Sequence, residues 1–99
     1  MSEIDDITHQ LEKLLADPMA DAVSGHITIV AASAPTGRSR YQECALEVIA
    51  RAPGVPDTTV HTAVVTSRKY WPTVGAVLPA RVSVSAPENI DVDWDALAR

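Results

Sequence analysis

YQECALEVIARA (Tyr41–Ala52) can be laid out in two ways, and the choice between them decides the fold. As a helix it lines up Tyr41, Ala45, Val48 and Ala52 on one stripe. As a strand it places Cys44, Leu46, Val48 and Ala50 on one face, with Glu43, Ala45, Glu47 and Arg51 on the other, because successive strand side chains point to opposite sides. The strand is the better account, since all the charged residues then share a face. The flanks agree. Residues 34–40 (APTGRSR) and 53–57 (PGVPD) carry the Pro, Gly and small polar residues that favour turns, so the segment belongs in a meander.

Working outward, residues 26–33 (HITIVAAS) alternate Ile27, Ile29 and Ala31 against Thr28, Val30 and Ala32, after a connector over 19–25. Residues 58–66 (TTVHTAVVT) are β-branched and form a third strand. Residues 67–73 (SRKYWPT) break the pattern. Residues 74–94 (VGAVLPARVSVSAPENIDVDW) then supply two more strands. In the first, Leu78, Ala80, Val82 and Val84 oppose Arg81, Ser83 and Ser85. In the second, Ile90, Val92 and Trp94 oppose Asp91, Asp93 and Asp95. Strict period two marks half-buried strands. The expected fold class is mainly β (α+β): a five-stranded, mostly antiparallel sheet over 23–95, closed or nearly closed into a barrel.

One helix is expected ahead of it, in residues 1–18. Ile4, Ile7, Leu11, Leu14 and Leu15 recur at spacings of three and four, which gathers them on one stripe. Ser2 stands as N-cap with Asp5 in the capping-box position, and Pro18 ends the helix. Such a short helix is marginal alone in water. Its stripe packs either on the chain's own sheet or on a partner helix.

The composition bounds the function. At 99 residues the expectation is one domain, Val-rich and free of Phe, whose only aromatics are Tyr41, Tyr70, Trp71 and Trp94. A formal net charge of -5 disfavours nucleic acid and anionic membranes as partners. Cys44 is the only cysteine, which excludes an internal disulfide and any cysteine-based metal site. The opening MSEIDDITHQ is acidic where a secretory signal is basic and then apolar, and no apolar run approaches the ~20 residues of a membrane helix. A soluble cytoplasmic protein without a cofactor is expected.

The pattern G-x-V-L-P-x-R-V at 75–82, followed by I-x-V-D-W at 90–94, resembles the end of a small bacterial β domain of unknown function. The likeness spans residues 25–94. It implies a compact barrel of the oligonucleotide-binding-like or SH3-like kind. Members often sit beside membrane spans, which this chain lacks, and the resemblance carries over no catalytic residue.

Few constellations suggest chemistry. Asp91, Asp93 and Asp95 echo the opening of a calcium loop, but Ala96 stands where that loop needs Gly. His9, His26 and His61 have no metal-ligand spacing, so no metal is expected. A Cys44/His61 nucleophile–base pair requires neighbouring strands to align the two, and Cys44 falls on the inward face. The most distinctive surface is Arg68, Lys69, Tyr70 and Trp71, with Arg38 and Arg40 in an earlier loop. Cations interleaved with aromatics grip single-stranded nucleic acid or form protein-binding hot spots. Alternatively, Trp71 plugs one end of the sheet. The expected function is a non-catalytic interaction module that self-associates or binds a protein, through the helix stripe or an open strand edge. Single-stranded nucleic-acid binding at residues 68–71 is the alternative.

Overall fold

The computed structural model describes residues 19–98. The predicted helix, with its stripe of Ile4, Ile7, Leu11, Leu14 and Leu15, lies outside them. Five strands follow in chain order: β1 (Ala22–Ala32), β2 (Tyr41–Ala52), β3 (Val55–Ser67), β4 (Val77–Ser83) and β5 (Ile90–Val92). Among the described residues the helical structure consists of two 3-10 turns, Arg68–Tyr70 and Trp94–Ala98. All neighbouring strands are antiparallel, in the order β3-β2-β1-β4-β5. β1 to β3 form a meander, and residues 68–76 then carry the chain back to the far side of β1. The sheet curls into a half-barrel. It does not close, because β3 and β5 do not pair with each other.

β2 is the strand that its period-two alternation predicts: Cys44, Leu46, Val48 and Ala50 are all buried, while Glu43, Ala45 and Arg51 are exposed. Across the sheet they meet Ile27, Ile29, Val60, Leu78 and Val82, so one aliphatic lining runs from β3 to β4. Trp71, Trp94 and Leu97 pack against its rim.

Several boundaries depart from expectation, each for a local reason. β2 and β3 are joined by a two-residue turn at Pro53 and Gly54, with Ala52 paired to Val55, so β3 starts three residues early. Gly54 takes the positive φ of 75° that the second central residue of a Pro-Gly turn requires. Pro56 is tolerated because β3 is an edge strand. β1 likewise begins at Ala22, within the expected connector, because residues 22–25 pair with 80–83 of β4. Gly25 is obligatory there: a Cβ would stand 2.2 Å from the Arg51 carbonyl oxygen and 2.8 Å from Ala52 Cβ. A bulge between Ile29 and Ala31 turns Ala31 outward and Ala32 toward the core, the reverse of simple alternation.

β4 ends differently from its pattern too. Val84 is exposed rather than inward, and Ser83, expected outside, is fully buried. The cause is Asp21. Its carboxylate accepts the Ser83 hydroxyl at 2.7 Å and the Ser85 backbone N–H at 2.8 Å. The Ser83 Oγ in turn accepts the Ala86 N–H at 3.2 Å, and the Ser83 N–H donates to Asn89 O at 3.1 Å. This clasp stops β4, turns the chain, and ties the head of β1 to the turn before β5. The Ser85 side chain, the Ser83 hydroxyl and the Ser85 N–H together hold the Asp21 carboxyl down at about 2. β5 is only three residues long, and Trp94, expected as its last inward residue, opens the second 3-10 turn instead.

Candidate functional site

The β2–β3 register places Tyr41 opposite Ser67, which sets the loop before β2 beside the turn after β3. The two segments enclose a shallow depression of about 420 Å³, lined by Gly37, Arg38, Ser39, Arg40, Ser67, Arg68 and Lys69. Local hydrogen bonds shape the loop. Gln42 Oε1 accepts the Thr36 N–H at 2.7 Å, and its Nε2 donates to Ser39 O at 2.8 Å. Gly37 supplies a φ of 65°. The Arg68 guanidinium donates to the Gly37 carbonyl and so clips the two segments together.

Four of the six residues proposed from sequence, Arg38, Arg40, Arg68 and Lys69, therefore share one depression. The two tyrosines follow lining residues in the chain, Tyr41 after Arg40 and Tyr70 after Lys69. Arg40 lies 5.6 Å from the Tyr41 ring centroid and Lys69 lies 5.3 Å from that of Tyr70. Tyr41 is 61% exposed and Tyr70 37%. Trp71 goes elsewhere. Its indole N–H donates to Ser33 O at 2.8 Å, and the ring packs half-buried against the core.

The charges around the site are lopsided. Among the described residues Arg51 forms an ion pair with Asp57 at 3.0 Å, and the His61 ring nitrogen lies 4.0 Å from a Glu47 carboxylate oxygen. Arg81 stands opposite Asp91 in the β4–β5 register. Among the described residues, none of the four cations of the depression is paired with a carboxylate.

The other candidates disperse. Cys44 is buried on the inner face, its thiol 3.6 Å from Ser33 O, whereas the exposed His61 sits on the outer face across from Glu47. The nucleophile–base pair is therefore not assembled. Asp91, Asp93 and Asp95 form no metal-holding group, and none exists among the described residues. His26 borders a separate depression beside Arg51 and Pro53, while His9 lies outside the described residues. Another depression, about 760 Å³, is a trough on the outer face floored by Ala31, Ala45 and Ala63, with Glu43, Glu47 and His61 along it. No helix among the described residues is long and apolar enough to cross a membrane.

Sequence reasoning missed Asp21 and Ser83. Their pairing spans 62 positions and follows no motif. No family model, curated protein or solved structure matches the chain.

Proposed function

We propose that this chain is a non-catalytic interaction module that associates with a second copy of itself through the open edge of β3. The observation that carries the reading is that edge. β3 runs for 13 residues and, among the described residues, pairs on one side only, with β2. Between Thr58 and Ser67 it carries no charged residue apart from His61, whereas exposed edges are ordinarily guarded by Lys, bulges or short length.

The direction of the free backbone groups follows from the ladder. The Ser33 N–H donates to Ala45 O, so the polar groups of Ala45 face β1. Its neighbours Cys44 and Leu46 then face β3, toward Val64 and Thr62. Alternation leaves Thr59, His61, Ala63 and Val65 with their N–H and C=O groups aimed at the open edge. Two copies of one strand laid antiparallel are related by a two-fold axis, so every residue meets its own complement in a closed arrangement. Ten such residues span about 33 Å, and the backbone supplies the affinity in this mode of recognition.

Sedimentation equilibrium at micromolar concentrations tests the reading. A dimer whose dissociation constant changes little with salt is expected, since no Asp, Glu, Lys or Arg lies between Thr58 and Ser67. A monomer throughout that range overturns it.

A further inference from the structure

We infer that the depression between residues 37–40 and 67–69 is a binding site for single-stranded nucleic acid, with phosphates on the four cations and bases stacked on Tyr41 and Tyr70. The inference does not rest on self-association, and the two surfaces differ in chemistry.

The acidic overall charge weighs against such a partner until it is located. Residues 1–18 hold Glu3, Asp5, Asp6, Glu12 and Asp17 against Lys13 alone, so most of the -5 lies ahead of the sheet. Within residues 19–98 there are six Arg and Lys side chains. Arg51 is held by Asp57, and Arg81, opposite Asp91 in the sheet register, donates to the Ala22 carbonyl. The remaining four converge on one depression with no carboxylate in its lining. Four cations with no carboxylate partner among the described residues, on a shallow, open surface, suit a ligand whose charges are spread along a chain. A compact anion would need enclosure that this surface does not give.

The aromatic rings narrow the class further. Tyr41 and Tyr70 are exposed, each follows a lining cation in the chain, and each ring has that cation beside it. A ring beside a cation lets a base stack while the neighbouring phosphate is neutralised, which is how sequence-tolerant single-strand sites work. Bases within a duplex are already stacked and have no use for exposed rings. The Arg68–Gly37 contact pre-organises the site, since it fixes one guanidinium arm and leaves the other donors pointing free.

The test is fluorescence anisotropy with a labelled, mixed-sequence 20-nucleotide DNA strand. At about -0.7 per neutralised phosphate, four contacts give a log–log salt slope near -2.8, or about a 50-fold loss of affinity between 50 and 200 mM salt. Replacing Arg38, Arg40 and Lys69 with Ala keeps the Arg68–Gly37 clip and lowers the slope to about -0.7. Tyr41→Ala leaves the slope alone but weakens binding roughly tenfold. Circular dichroism melting shows whether each variant is folded. The inference is overturned by an absence of binding at 50 mM salt or by a triple variant that binds like the parent. Equal affinity for the 20-base-pair duplex, or preference for phosphatidylserine vesicles, also overturns it. A monomeric protein that binds the strand would sink the assembly reading and leave this one standing.

Discussion

The two edges of the sheet are built on opposite principles. β5 offers three residues, carries Asp91 at its centre, and runs at once into the Trp94–Ala98 turn, whose Trp94 and Leu97 fold back on the core. β3 offers 13 residues, and its outer-facing Thr59, His61, Ala63 and Val65 are exposed, Val65 to 67%. A sheet with two open edges can add copies without limit, whereas a sheet with one open edge stops at a pair. Under the proposed self-association, the short, charged, folded-back β5 is what makes the long β3 tolerable, because it would turn a route to fibres into a route to a closed dimer.

The comparison breaks most decisively at Ala63. Ala63→Pro removes an N–H that faces the open edge and leaves the β2 ladder in place, so it is expected to abolish the dimer. Asp91→Ala, at the other edge, is expected to leave the dimer intact. Sedimentation velocity on both proteins decides the matter, and a dimeric Ala63→Pro variant would mean that the contact lies elsewhere.

Next in size is the lining shared by the two halves. Leu46→Ala on the β3 side and Leu78→Ala on the β5 side each remove a buried side chain, and each is expected to cost about 2–5 kcal/mol in urea unfolding. Because one core joins the halves, hydrogen exchange should accelerate at both edges in either variant. Loss of protection confined to one side would show that the edges fold as separate units. Gly25→Ala sits where β1 meets the end of β2, and the clash with the Arg51 carbonyl is expected to cost roughly 1–3 kcal/mol.

The smallest effect is acid-specific. The Asp21 carboxyl is held at about 2, below its unfolded value, so its contribution is present above about pH 4 and fades as the pH falls toward 2. Asp21→Asn should flatten that interval of the stability–pH curve. A variant curve parallel to that of the parent would mean that the clasp contributes no pH-dependent stability.

Much of this architecture was legible in the residues. The apolar alternation Cys44, Leu46, Val48 and Ala50 and the turns on either side made β2 a strand, and the alternation through Leu78, Ala80 and Val82 placed the core face of β4. What alternation cannot convey is a bulge, so Ala31 and Ala32 exchanged faces. A buried hydroxyl was equally invisible, because Ser83 turns inward only when Asp21 arrives from 62 positions away. The short length of β5 was set by the turn at Trp94, whose ring serves the core as well from a 3-10 turn as from a strand. At the candidate site the residue types were evident, but their meeting depended on the Tyr41–Ser67 register. Trp71 suited either a plug or a contact residue until Ser33 O fixed its indole.

Cys44, the chain's single sulfhydryl, lies wholly out of reach of water between Leu46 and the start of β2, with Ser33 beside it. An alkylating reagent cannot touch it until the wall between β1 and β3 parts. The rate of its modification is therefore a clock for that opening. One natural residue, with no engineered label, reports how often the molecule breathes and whether a bound copy or a bound strand slows it.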